Sequence, residues 1–281
     1  MDIAELIDQH RDRLSPAERR VADVVLAEPE FVAFGTVADV AERAGTSGAS
    51  VVRLANRLGL DGYSALQDGV QQSLARRLRP ASERIRQPAA GDVVGKVLAA
   101  ELDNLHGTFD RIDRTVFARA VNALVNRAGR VFVLSGQASS GIASQFAGEL
   151  AMLRDGVVLL NGSEVTVHQG LALAGDTDTF VVLDLRRYDR VVLGATRLAA
   201  RNKLTVVALT DRMLSPLAGH SSCTFVVHAQ GAGPFDSYVG ALALLNALAA
   251  AVAGKLRSSA TARLDRVEAA WRSANALVDD E

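Results

Sequence analysis

The sequence has almost no cysteine: one residue, Cys223, in 281. No intramolecular disulfide can form, no cysteine-based metal cluster can be built, and an oxidising compartment is not indicated. A cytoplasmic location is the expectation that follows. Net charge is nearly absent too, since 31 Lys and Arg face 32 Asp and Glu. A uniformly basic nucleic-acid binder is thereby excluded, and any nucleic-acid surface has to be local. No hydrophobic run reaches the roughly 20 residues that span a bilayer. The longest, Tyr238 to Gly254, is rich in alanine and contains Asn246, so it reads as a buried helix, and no membrane association is expected. The opening Met1-Asp2-Ile3-Ala4-Glu5-Leu6 lacks the basic and apolar regions of a secretory signal. Aromatics are scarce, at 5%, while 49% of the residues are hydrophobic. The chain therefore packs on Ala, Val and Leu, as one or two folded domains with little disorder.

Charge is instead sorted along the chain. Residues 1–42 carry four arginines and ten acids. Residues 43–79 reverse this, with Arg43, Arg53, Arg57, Arg76, Arg77 and Arg79 facing only Asp61 and Asp68. A polyanion would meet this second segment favourably, although any one of these arginines also fits a solvated helical surface. Four helix starts are written into the same region, because a Ser or Thr able to accept from free backbone N–H groups precedes each apolar-periodic stretch. Ser15-Pro16-Ala17-Glu18 joins a capping box to a proline at the first helical position. Thr36 with Asp39, Ser47, and Ser64 with Gln67 repeat the signal.

Two of these helices form a helix-turn-helix pattern. Val37 to Ala44 is followed by the turn Gly45-Thr46-Ser47, whose glycine can turn left-handed, and then by Gly48 to Leu58. On the second helix Val51, Leu54, Ala55 and Leu58 fall on one face and predict a buried stripe. The opposite face then carries Ala49, Ser50, Arg53, Asn56 and Arg57: small residues that permit close approach, followed by hydrogen-bonding groups with reach. The helix N-terminus, with Gly48 and the Ser47 and Ser50 hydroxyls beside it, offers unpaired N–H groups to phosphate. Thr36, Ser47, Gly48, Ala49, Ser50, Arg53, Asn56 and Arg57 are the candidate DNA-contacting residues.

Residues 80–91, Pro-Ala-Ser-Glu-Arg-Ile-Arg-Gln-Pro-Ala-Ala-Gly, have no lasting apolar period and hold two prolines, which suits a linker between domains at 1–79 and 92–281. Helices are expected over roughly 92–109 and 113–126. Short apolar runs then alternate with helical segments: Val131–Leu134, Val157–Leu160, Phe180–Leu183, Leu204–Leu209 and Thr224–Val227. That rhythm predicts a parallel sheet with helices on both faces. Ligands of such sheets sit at the carboxyl ends of the strands, so function is to be sought in the loops starting at Ser135, Asn161, Asp184, Thr210 and His228.

The first of these loops, Ser135-Gly136-Gln137-Ala138-Ser139-Ser140-Gly141, can bring backbone N–H groups and hydroxyls onto an anion. It is no Walker loop. It is also a poor dinucleotide fingerprint, since Ala138 replaces the middle glycine and Asn161 stands where a ribose-binding acid is expected. The third loop reads Asp184-Leu185-Arg186-Arg187-Tyr188-Asp189. Its two arginines can clamp a phosphate or carboxylate, or pair with Asp184, Asp189 or a partner subunit. Gly136, Gln137, Ser139, Ser140, Asp184, Arg186, Arg187 and Tyr188 are the candidate effector-binding residues.

Two stretches carry a family resemblance. Leu14 to Pro29, and Thr36 to Leu58 closing on Gly59-Leu60-Asp61-Gly62-Tyr63, resemble the DNA-binding domain of RpiR-type bacterial transcriptional regulators over roughly residues 1–78. The family often has a basic residue where Asn56 stands, which implies a different base preference. Gly136 to Ile142 and its surroundings resemble the sugar isomerase (SIS) domain over about residues 115–257, a doubly wound, flavodoxin-like fold that binds phosphosugars. In its better-known members the loop after the third strand is rich in Ser, Gly and Thr and completes the phosphate site. Asp184 to Asp189 departs from that. It is instead similar to a recurring Asp-aromatic-or-Leu-Arg-Arg-Tyr subtype, as is Gly233-Pro-Phe-Asp-Ser-Tyr238.

The resemblance implies an all-α helix-turn-helix domain followed by an α/β doubly wound parallel-sheet domain. It implies a regulator that binds operator DNA as a homodimer or higher homo-oligomer and senses a small anionic metabolite, a phosphosugar or a sugar acid. The alternatives are a sugar-phosphate isomerase and a SIS interaction module that senses nothing. For an isomerase Glu149, Glu164, His168, His220 and His228 are available, but no recognised arrangement joins them, and no catalytic residue, metal or cofactor is expected. The helix over Asp236–Lys255 and the one around Trp271 suit either subunit contact or packing within the chain. Cys223, in an apolar strand, reads as core.

Overall fold

Ser15 and Thr36 each close a capping box at the head of a helix. Ser15 Oγ accepts from Glu18 N and Glu18 Oε2 from Ser15 N, and Thr36 and Asp39 exchange the same pair of bonds. A computed structural model describes residues 3–78, 81–86, 91–213 and 215–277, and the chain divides into two units, Met1–Arg86 and Gln87–Glu281.

In the first unit the described helices are α1 (Ile3–His10), α2 (Pro16–Ala27), α3 (Pro29–Phe34), α4 (Val37–Arg43), α5 (Gly48–Arg57), α6 (Gly62–Leu78) and the single turn α7 (Ala81–Arg84). Val21, Val40, Val51, Leu54, Ala55 and Leu66 are fully buried at their centre. Each larger aliphatic side chain so buried contributes about 1.5–3 kcal/mol. Gly45 turns the chain between α4 and α5 at φ +56°, a conformation a side chain disfavours. From α6, Tyr63 Oη and Gln67 Nε2 donate to the carbonyls of Val32 and Gly35, which serves the exposed end of α3.

Two details differ from the sequence pattern. α6 starts at Gly62, two residues before Ser64, because Gly62 itself supplies the turn at φ +75°. α7 is a helical turn inside the stretch read as a linker. Residues 79, 80 and 87–90 of the basic run and linker lie outside the described residues, as do the side chains of Arg76 and Arg77.

In the second unit α8 (Val93–Phe109) and α9 (Arg114–Val125) start on the side chains of Asp92 and Asp113. They lead into β1 (Val131–Ser135), α10 (Ser140–Leu153), β2 (Val157–Leu159), α11 (Glu164–Ala172), β3 (Thr179–Leu183), α12 (Arg190–Arg201), β4 (Thr205–Thr210), β5 (Cys223–Val226), α13 (Val239–Lys255) and α14 (Arg257–Ser273). The five strands run parallel in the order β2-β1-β3-β4-β5. Alternate strand residues serve opposite faces. Val131, Val133, Val181, Leu183, Val207 and Leu209 pack with α9, α10 and α13, whereas Phe132, Leu134, Phe180, Val182, Val206 and Ala208 pack with α11 and α12. The doubly wound parallel sheet is thus present.

The Ala-rich α13 buries Ala241, Leu244, Leu245, Leu248 and Val252 in this core. Cys223 is buried as a core residue. Arg154 is buried and donates to the carbonyls of Leu124, Asn126, Gly129 and Asp155, fastening the end of α9 to the start of the sheet. Among the described residues no single helix is long and apolar enough to cross a membrane.

The strand order reverses direction at β1 and β3, and the crevice beyond the carboxyl ends of those strands is where open α/β sheets bind ligands. The loops that begin at Gly136 and Asp184 lie there.

Candidate functional site

On α5 the stripe Val51, Leu54, Ala55 and Leu58 is buried, and Ala49, Arg53, Asn56 and Arg57 are exposed. Val52, 36% exposed, shares that outer face. Sequence reasoning left it out, although its three-residue offset from Ala49 is a signal that would have found it. Ser50 corrects the reading: it is 2% exposed and does not face solvent. Its hydroxyl lies 3.2 Å from Ser47 Oγ and accepts from Arg53 Nη2 at 2.7 Å. Gly48 is small for an inward reason as well, since a Cβ there would stand 3.1 Å from Val37 Cγ1 of α4.

The caps differ in what they leave open. The Thr36 hydroxyl is committed to Asp39, donating to Oδ2 at 2.8 Å and accepting from Asp39 N. Ser47 makes no side-chain cap bond on α5. The first turn of α5 therefore keeps backbone donors for an anion, and no acid lies in that turn to oppose one.

Acidic neighbours sort the arginines. Arg43 grips Glu28 through Nε and Nη2, at 2.9 and 2.6 Å. Arg57 Nη2 lies 3.6 Å from Glu18 Oε1, and Glu18 is buried. Burial pushes the Glu18 carboxyl up, but the Ser15 backbone and hydroxyl and the Arg57 charge outweigh it and hold the group below its ordinary value. Arg53 has a hydroxyl partner instead, and no carboxylate pairs with it among the described residues. Arg20 of α2, not anticipated, donates to the Ala44 and Gly45 carbonyls and steadies the turn.

In the second unit the first and third strand loops meet closely. A Cβ on Gly136 would stand 2.4 Å from Asp184 Oδ1, so only glycine fits there. A tight turn, Gln137–Ser139, then precedes α10. Gln137 and Ser140 are exposed, and Ser140 Oγ donates to Gln137 O. Ser139 is a second correction: it is buried, and its hydroxyl donates to the Gly136 and Leu183 carbonyls, so it is not available to a ligand.

Asp184 staples its own loop, accepting from Leu185 N at 3.0 Å and Asp189 N at 2.7 Å. Burial raises its carboxyl to about 6, and the Asp189 and Asp211 charges add to this against the two N–H bonds. Arg186 stands at φ +57° and pairs with neither Asp184 nor Asp189. Its Nη1 lies 3.0 Å from Asp236 Oδ1, and Nη2 reaches Ala229 O and Gln230 Oε1. The two motifs Asp184–Asp189 and Gly233–Tyr238 are therefore partners in space. Arg187 is exposed, with no ion pair or hydrogen bond of its side chain among the described residues. Tyr188 Oη donates to Asp211 Oδ1, and Arg212 lies 5.9 Å over its ring. Burial, and then the Asp211 charge, push the Tyr188 phenol well up, so it stays a neutral donor.

The residues weighed for isomerase chemistry do not assemble. His168 Nδ1 sits 2.9 Å from the Glu164 backbone oxygen, not its carboxylate, and Glu149 accepts from Gln145 on its own helix. No group of three metal-ligating side chains occurs among the described residues.

Comparison with known proteins agrees with both halves. The profile of the helix-turn-helix domain of the rpiR family matches residues 1–77, and that of the SIS domain matches residues 124–251. The HTH-type transcriptional regulator HexR of Pseudomonas aeruginosa is 28% identical over 227 residues, which span 79% of this chain and 77% of the relative. The sugar isomerase domain of an RpiR transcription factor from Sphaerobacter thermophilus is 27% identical at a TM-score of 0.59, over 63% of this chain and 99% of that one. The Vibrio vulnificus NanR protein, solved in complex with ManNAc-6P, shares the fold over 96% of this chain and 98% of its own, at 23% identity and a TM-score of 0.59. With the two domains matched in this order along one chain, the protein belongs to the RpiR family of transcriptional regulators, an N-terminal helix-turn-helix joined to a SIS domain.

Proposed function

We propose that α5 reads operator DNA through Ala49, Val52, Arg53 and Asn56, with Ser47 and Gly48 at its head and Arg57 at its edge meeting the phosphates. We propose further that the strand-end loops bind a small anionic metabolite which alters operator affinity. One short recognition helix makes too few base contacts for useful selectivity, so two chains act on paired half-sites about one DNA turn apart. The observation that carries the sensing half is Arg187: an exposed cation with no carboxylate partner among the described residues, on the β3 loop at the point where the strand order reverses.

Gln137 and Ser140 supply neutral polar groups from the β1 loop beside it. The buried Asp184 carboxylate lies against Gly136 and opposes a dianion seated in that loop, so the anionic group of the ligand belongs at the two adjacent arginines, Arg187 and Arg186. A phosphosugar, the kind of ligand in the NanR complex, or a sugar acid meets that requirement. A thermal-shift screen of phosphorylated and carboxylated sugars, with wild type and Arg187→Ala, tests the reading. A shift in wild type that Arg187→Ala loses supports it. No shift with any compound turns the second unit into an interaction module.

A further inference from the structure

We infer that the Arg186–Asp236 ion pair is a latch between the strand-end loop and α8, and that Asp236 holds the place a ligand's anionic group takes on Arg186. The inference rests on the anion-sensing reading above for the ligand, and on geometry alone for the latch. Both charged side chains are largely out of water, 18% and 16% exposed, so their 3.0 Å contact is stronger than a surface pair. Arg186 also holds a left-handed backbone conformation, unfavourable for a residue other than Gly, Asn or Asp. The bonds to Asp236, Ala229 and Gln230 are what hold it there.

The segment that carries Asp236, residues 228–238, is fastened on its other side to α8. His228 N donates to Thr108 Oγ1, and Gln230 N to Asn104 Oδ1 at 2.8 Å. Asn104 Nδ2 donates back to Gln230 O, and Ser237 Oγ donates to Glu101 Oε2. Asn104 and Thr108 are polar yet almost fully buried, so these bonds are costly to leave unmade. The fit is close as well, since a Cβ on Gly240 would stand 2.6 Å from Thr108 Oγ1. α8 is the first helix of the second unit and follows the residues that join it to the DNA-binding unit.

The segment therefore has two ways to be held. With Asp236 on Arg186 it is clamped between the β3 loop and α8. With a carboxylate or phosphate on Arg186, the contact between Arg186 and Asp236 is given up and the clamp on α8 loosens. A ligand shifts this balance only by its own contacts with Arg186 and Arg187, which differ between the two states.

Hydrogen exchange of the full-length protein tests the latch without any ligand. Asp236→Asn is expected to raise exchange at least five-fold across residues 92–109 and 228–238. The charge-swapped double variant Arg186→Asp/Asp236→Arg is expected to restore protection. Unchanged exchange over 92–109 in Asp236→Asn overturns the latch, and so does a swap that protects no better than the single variant. Titration with ManNAc-6P and with inorganic phosphate tests the competition. Asp236→Asn should bind at least one of them about ten-fold more tightly than wild type, and equal or weaker binding overturns it. If neither chain binds either probe, the competition falls along with the anion-sensing reading, while the exchange result still decides the latch.

Discussion

Arg53 Nη2 donates to Ser50 Oγ at 2.7 Å, one turn back along the same helix. A neutral, buried hydroxyl thus restrains Arg53, which no carboxylate pairs with among the described residues, while Arg57 leans toward Glu18. Restraint without neutralisation is what a base-reading side chain needs, because less rotamer entropy is lost when it docks.

Arg53→Ala should cost about 1–3 kcal/mol on an operator selected from random DNA. On unrelated duplex of equal length the loss should be small. Fluorescence anisotropy on both duplexes measures the difference. Arg43→Ala, whose guanidinium is already taken by Glu28, should change neither by more than a few-fold.

Glu18 is predicted to matter for stability rather than for DNA. Glu18→Ala removes half of a capping box and the partner of Arg57, a loss of about 1–2 kcal/mol, read by thermal unfolding in far-ultraviolet circular dichroism. The sign with pH follows from its carboxyl lying below the ordinary value. The contribution is present above the unfolded pKa and disappears as pH falls through the folded one.

Asp184 has the opposite sign. Its folded carboxyl sits at about 6, above its ordinary 3.8, so the folded state holds the proton more tightly. Stability from this group is greatest below its unfolded pKa and is lost as pH climbs toward 6, on the order of 3 kcal/mol at about 1.4 kcal/mol per pH unit. Urea unfolding at pH 4 to 7, followed by the single tryptophan, Trp271, should show wild type losing stability relative to Asp184→Asn over that range. A constant difference contradicts the assignment.

Arg154→Met should destabilise the second unit by about 3 kcal/mol or more, because carbonyls served by one buried guanidinium lose a charged donor together. The same tryptophan signal checks it. Operator binding at low temperature, where the fold survives, should be retained.

Much of the fold was legible because it is written locally. Asp92, Asp113, Ser15 and Thr36 are caps within three residues of the N–H groups they serve, and the apolar runs from Val131 to Val227 locate the strands to within a residue. What the local pattern leaves undetermined is which polar side chain turns inward. Ser50 and Ser139 both stand in small-residue turns that suit a ligand, yet each finds a closer partner, Arg53 for one and the Leu183 carbonyl for the other. Arg186 and Asp236 are 50 positions apart in sequence. Their pairing reaches across β4, which lies between β3 and β5 in the sheet, and depends on the path of the segment after β5, which no local pattern shows.

The strand-end site of the second unit is proposed to control DNA binding by the first. This control is tested most directly by operator affinity measured by anisotropy, with and without each sugar phosphate or sugar acid that shifts the melting temperature. A change of ten-fold or more is expected in wild type and is abolished in Arg187→Ala, while the ligand-free affinity of the variant stays that of wild type. An operator affinity that no such ligand changes, or a response that survives in Arg187→Ala, contradicts it.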